Sequence, residues 1–290
     1  MNGLLENLTN PALLFFILGI LASQIKNDLK IPNNSSKFIS IYLLLSIGFK
    51  GGNELSHSQL NIEILASLFL GFMLAVTVPL FAFMIIRRSV SIPNAGAIAA
   101  SYGSVSAVTF VTAISFLEFE AVRFDGHMIA VMALMEAPAI VVGLLLIRLF
   151  TQVPENGIVD SKKSFKKVFN HSINNASVLL IIGSLVIGYL ASDAQAEGIK
   201  PFTTDIFKGF LAVFLLDMGI RAGNQLGGMR RNGLVLILFA SIMPFLNGTL
   251  ALFLSSLFTQ SAGNMLLFAI LGASARSEEH TSELQSLLII

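Results

Sequence analysis

The chain has 290 residues, 54 % of them hydrophobic and 12 % charged, with a mean hydropathy of +0.80. A soluble domain carries roughly 25 % charged residues, so the balance excludes a soluble enzyme, and apolar runs repeated along the whole length exclude a single membrane anchor. A formal net charge of +1 gives no electrostatic footprint for nucleic acid, the lack of Cys removes disulfides and thiolate chemistry, and the four His show no ligand-like spacing.

The class expected is an all-α polytopic membrane protein. At about 20 residues per span the length allows roughly nine or ten spans and leaves no room for a separate soluble domain. In chain order the candidate spans are Pro11–Ile25, Phe38–Phe49, Ile62–Ile86, Asn94–Leu117, Gly126–Phe150, Ala176–Ala191, Phe207–Ile220, Gly233–Phe258 and Asn264–Ala275. The first follows a start without Lys or Arg, so it reads as a retained helix and not as a secretory signal. The shorter runs are expected to extend into their flanks or to tilt little. With the N-terminus outside, thirteen Lys and Arg fall in inside loops and four outside (Lys50, Arg123, Lys200 and Lys208), leaving Arg276 aside. That bias supports both the orientation and the parity of the spans.

Thr151–Asn174 is the longest polar connection, with Pro154, Gly157 and four Lys, and it reads as a cytoplasmic linker between two halves. Within it, Asp160–Phe169 forms either a short basic amphipathic helix on the membrane surface or a solvated stretch that only fixes topology. The halves are related. Leu44–Leu55 aligns without gaps on Leu215–Leu226 with six of twelve positions identical, including Gly48/Gly219, Gly52/Gly223 and Asn53/Asn224. Leu21-Ala22-Ser23-Gln24 answers Leu190-Ala191-Ser192-Asp193, and Ala99-Ala100-Ser101-Tyr102 answers Gly272-Ala273-Ser274-Ala275. Five spans, an odd number, precede the second copy, so the repeats are inverted in the membrane, as in many secondary transporters. The division expected is residues 1–150 for the first five-helix repeat, 151–174 for the linker and 175–275 for the second repeat.

From Arg276 the character changes. Residues 276–286, RSEEHTSELQS, resemble the translation of a common sequencing-library adaptor, so residues 276–290 are expected to be foreign to the gene, the alternative being a genuine charged tail. The repeat offset of about 172 leads one to expect a native chain of roughly 320 residues, with the second repeat incomplete here.

Two places carry chemistry. The centre of the fourth span, Gly103-Ser104-Val105-Ser106 followed by Thr109, is small and hydroxylated where a lipid-facing helix would be Leu-rich. A break there, with a half-helix starting near Ser104, would aim free N–H groups and a positive dipole end at a small anion. The same residues also suit a tightly packed helix interface. The second place is Glu136, near the middle of the fifth span beside Pro138. A carboxylate at the bilayer centre costs about 2.5 kcal/mol or more, so it needs a partner or a cation. Pro138 frees a carbonyl near Leu134, and hard oxygens together suit Na⁺. Alternatively, a protonated or hydrogen-bonded Glu136 locks two helices. Asp217 ranks lower, and Asn53 and Asn224 are expected to cap helix ends or make turns. No nucleotide-binding loop or nucleophile elbow occurs, so any transport draws on an ion gradient.

Taken together, Ile47-Gly48-Phe49-Lys50-Gly51-Gly52, Tyr102-Gly103-Ser104-Val105-Ser106 and Met135-Glu136-Ala137-Pro138-Ala139 resemble the sodium-dependent bicarbonate transporters of the SbtA type, over residues 1–275. The resemblance implies ten helices in two inverted five-helix repeats, a gate and a core domain, and sodium-coupled bicarbonate symport at the plasma (inner) membrane. It implies bicarbonate bound by Gly103, Ser104, Val105 and Ser106, with Thr109 and Glu136 on the sodium side. It also implies an oligomer, usually a trimer, surrounded by lipid, a PII-like cytoplasmic regulator and no organic cofactor. Ala107 stands where the family pattern has Gly, and Glu136 where Asp is common. A transporter of another small anion on the same scaffold, or a non-transporting membrane receptor, are the other classes in view. The chain as written is expected to be inactive.

Overall fold

A computed structural model describes residues 11–25, 28–58, 61–151, 176–229 and 234–276, and every regular element among them is helical. In chain order these are α1 (Pro11–Gln24), α2 (Asn33–Ser56), α3 (Ile62–Ile86), α4 (Ile92–Gly103), α5 (Ala107–Phe119), α6 (His127–Phe150), α7 (Ala176–Leu190) and α8 (Asp193–Lys200). A π-helical turn (Pro201–Asp205), α9 (Phe207–Met229), α10 (Leu234–Ser255) and α11 (Ala262–Ala273) follow. The segment Asp160–Phe169 lies outside the described residues.

Three helices, α3, α6 and α10, are long and apolar enough by themselves to cross a membrane. Their outward faces are greasy: Ile62, Leu234 and Phe245 are each more than 70 % exposed. Such side chains are stable only against lipid or another protein, and the chain is an all-α membrane protein. The short second and seventh apolar runs do extend into their flanks, giving α2 24 residues and α9 23.

Pairing of the helices follows the repeat. The tightest packings are α1 on α9 and α2 on α7. Exchanging the halves, α1 for α7 and α2 for α9, turns one of these contacts into the other. Two more helices of each half obey the same exchange, since α3 packs on α4 as α10 packs on α11. The glycines shared by the two copies make these contacts. A Cβ at Gly48 or Gly52 would collide with α7 at Ser184 or Leu185, and one at Gly219 or Gly223 with α1 at Phe16 or Ser23. Small residues one turn apart let backbones approach closely where no hydrophobic effect drives association.

Asn53 and Asn224 correct an expectation. Both lie inside helices, α2 running on to Ser56 and α9 to Met229. The preceding glycines are packing surfaces for a neighbouring helix, so the main-chain ladder continues through them instead of turning. Asp217 is also a packing group. Its Oδ2 accepts from Ser36 Oγ at 2.6 Å and from Arg221 Nε at 3.0 Å, tying the start of α2 to α9.

Candidate functional site

The fourth span is interrupted. α4 ends at Gly103, Ser104 is its C-cap in extended conformation (φ −92°, ψ 128°), and α5 begins at Ala107 with Ser106 as N-cap. The half-helix therefore starts three residues later than the sequence suggested. Ser106 Oγ accepts the N–H of Thr109 at 3.3 Å and Ser106 O that of Phe110 at 3.0 Å, so the first closed turn lies beyond the Ser-Val-Ser strand. The break sits inside protein: Ser104 is fully buried, and Val105 and Ser106 are buried. Irregular backbone at membrane depth is tolerated only where protein or a cavity surrounds it.

Gly103 has a steric reason to be glycine. A Cβ there would collide with the ring of Pro79 on α3 and crowd Ala139 on α6, so the end of α4 is wedged between two proline-containing helices. Tyr102, its neighbour, packs edge-on against Phe239 of α10 with ring centroids 5.2 Å apart.

A second helix stops beside the first. α11, like α4, has 12 residues, a serine before it (Ser261 against Ser91) and an extended serine C-cap (Ser274, φ −78°, ψ 144°). By cap position Ser274 corresponds to Ser104, whereas the matched tetrapeptides set it against Ser101. Beyond Ser274 the chain crosses to α4, where the N–H of Arg276 donates to Ser101 O at 2.8 Å.

There the sequence-level site residues separate. Ser104 and Glu136 are brought together on one cationic group: Arg276 Nη1 donates to Ser104 Oγ at 3.2 Å, and Arg276 Nη2 lies 2.9 Å from Glu136 Oε1. The two charged side chains are 3 % and 10 % exposed. Ser106 and Val105 line the break toward α5. Thr109 is exposed on α5, and its backbone N–H is taken by Ser106 Oγ. Arg276, assigned to the tail by the sequence, is thus the buried partner of the carboxylate. The signal for it was slight: a basic residue two positions past a helix cap, with a lone carboxylate available at membrane depth.

The electrostatics of the break are divided. The C-terminal ends of α4 and α11 carry the negative ends of their dipoles toward Glu136 and favour a cation. The N-terminus of α5 turns its free N–H groups toward Val105 and Ser106 and favours an anion. Ser104 Oγ and the Glu136 carboxylate, already converging on a positive group, are hard oxygens of the kind Na⁺ takes. Among the described residues no cluster of three or more His, Cys, Asp or Glu is arranged for a metal ion.

A lipid-facing bundle in which one helix is interrupted at a buried polar break and another ends beside it has the build of a secondary transporter. The family model of the Na⁺-dependent bicarbonate transporter superfamily matches residues 11–277, and the chain belongs to that superfamily. No curated protein matches the chain.

Proposed function

We propose that this fold carries out sodium-coupled symport of bicarbonate across the plasma (inner) membrane, with the N-terminus outside. The observation that carries the reading is the buried Ser104–Ser106 break, with a helix N-terminus on one side and Glu136 on the other. Bicarbonate sits against the N-terminus of α5, with Val105 N–H and the Ser106 N–H and hydroxyl as donors; Gly103 shapes the pocket by allowing close packing. Na⁺ sits against Glu136 and Ser104 Oγ. Each charge lowers the cost of burying the other, and this mutual neutralisation couples the two ions. Thr109 contributes to the sodium side only if α5 rotates inward. Alternating access follows from rocking the α1, α2, α7 and α9 group against the remaining helices, in a homo-oligomer, trimeric by family resemblance, under a PII-like regulator.

In this chain Arg276 fills the sodium position, so the chain as written does not transport. The same reading holds residues 276–290 to be adaptor-derived. Sodium-gradient-driven uptake of labelled bicarbonate into proteoliposomes tests both, comparing this chain with one carrying the locus's own codons after 275. Sodium-dependent uptake by the second alone is the expected result. Sodium-independent uptake, or counterflow favouring another carboxylate over bicarbonate, overturns the assignment.

A further inference from the structure

Lys50 and Glu54 stand one turn apart near the C-terminal end of α2, beyond the apolar run Phe38–Phe49, and both face the other helix group. Lys50 Nζ meets Glu118 of α5 at 2.6 Å. Glu54 lies over the loop between α5 and α6: a Cβ on Gly126 would stand 2.6 Å from Glu54 Cβ, 2.9 Å from Gly51 O and 3.1 Å from Glu54 Oε2. From that side two carboxylates act on its charge, Glu118 and Asp125. Asp125 is itself anchored to α11, its Oδ2 accepting from Asn264 Nδ2 at 2.6 Å. On its other side Glu54 lines an open groove of about 320 Å³ with Asp193, Glu197 and Lys200 of α8. The α8 charges there are already matched, Lys200 with Glu197 and Asp193 with His57.

The contact between the groups is therefore one cation against three carboxylates, and Glu54 decides the balance. With Glu54 ionised, α2 presents Lys50 and Glu54, with no net charge, to Glu118 and Asp125. With Glu54 protonated, α2 presents Lys50 alone and is drawn to them. Removal from water raises the Glu54 pKa above the ordinary 4.5; Lys50 opposes the rise, and Glu118 and Asp125 add to it. Parting the groups rehydrates the carboxylate and takes it away from Glu118 and Asp125. The closed contact thus holds the proton more tightly than the parted one, so closure is favoured at acid pH and fades as pH rises through the closed-state pKa.

We propose that Glu54 is a proton-operated latch on the contact between the two helix groups: a proton taken from the outside solution through the groove closes α2 on the α5–α6 loop, and its loss frees α2 from Glu118 and Asp125. The latch rests on the orientation and the rocking given under Proposed function. It requires neither bicarbonate nor sodium.

The test measures the separation of the groups directly. The chain has no Cys, so spin labels on Ala194→Cys, exposed on α8, and Gln260→Cys, exposed in the turn before α11, report one distance by electron–electron double resonance. The full chain in detergent is compared at about pH 5 and about pH 8, the range a raised carboxyl pKa spans. A single short distance is expected at acid pH, with a population several ångströms longer growing toward alkaline pH. Glu54→Gln should stay at the short distance throughout, and Glu54→Ser, which removes the carboxyl with less bulk, should do the same. Lys50→Gln should keep the longer population at both pH values. His57→Gln should respond as the parent does, since its pair with Asp193 lies within one group. A distance that ignores pH, a response that survives in both Glu54 variants, or one that disappears in His57→Gln overturns the latch. A pH response of the expected kind supports it even if the chain with restored codons after 275 shows no sodium-dependent bicarbonate uptake, a result that overturns the symport reading alone.

Discussion

Lys50 Nζ lies 2.6 Å from Glu118 Oε1, and this ion pair joins α2, in one helix group, to α5, in the other. Under the proposed rocking of the two helix groups, the pair spans the boundary between them. Its repeat counterpart, Arg221, instead pairs within its own helix with Asp217 at 3.0 Å. The symmetry of the repeats is therefore broken at a charged contact between the groups.

Removing one partner, by Lys50→Gln or Glu118→Gln, is expected to cost about 0.5–1 kcal/mol, since both side chains are only about a quarter exposed. The charge-reversed pair Lys50→Glu/Glu118→Lys should recover much of that loss. A double-mutant cycle on melting midpoints measures the coupling; a coupling of zero would show that the contact holds nothing together.

Gly103→Ala should destabilise by about 1–3 kcal/mol, because the added methyl meets Pro79 and Ala139 in a packed region. Pro79→Ala removes the ring atoms in the way, so the double variant should melt above Gly103→Ala alone. If Pro79→Ala gives no relief, the wedge is not what requires glycine.

The glycines of α7 provide an internal contrast. Gly188 faces the carbonyl of Phe49 on α2, whereas a Cβ at Gly183 meets nothing within 4 Å. Gly188→Ala is expected to lower the midpoint and broaden the elution profile in detergent. Gly183→Ala should leave both unchanged or raise the midpoint slightly, by roughly 0.5–1 kcal/mol of helix preference. Equal effects at the two positions would refute the packing assignment.

His57, in the turn after α2, contacts Asn53 O through Nδ1 at 2.8 Å and Asp193 Oδ1 through Nε2 at 3.0 Å. The Asn53 carbonyl first, and then the Asp193 charge, raise its pKa above the ordinary value of 6.5. A raised pKa means the folded state holds the proton more tightly. The stabilisation is complete below pH 6.5 and fades as pH rises through the folded-state pKa. The midpoint difference between the parent and His57→Gln should therefore be larger at acid pH and close toward alkaline pH. A difference that stays constant with pH contradicts the linkage.

Much of the fold was legible because its signals are local. Apolar runs set the spans, and Gly103-Ser104-Val105-Ser106 placed the interruption to within three residues, since small hydroxylated residues stand out in a membrane helix. The start of α5 was misplaced because a serine can cap a half-helix or extend before it, and only the Ser106 contact to Thr109 selects the cap. Gly-Gly-Asn and Ala-Gly-Asn look like breaks in isolation, although Asn53 and Asn224 lie inside helices.

The sequence alone determined immersion in lipid, the doubling of a helical unit and the two chemically distinctive spots, all properties of composition and order along the chain. Tertiary structure decided which groups share a charge. Arg276 meets Ser104 across 172 residues of sequence, and meets Glu136 only because α4 and α11 end side by side. Long-range electrostatic pairing is fixed by where helices stop and how closely glycines let them pack, and neither distance is written in any local pattern.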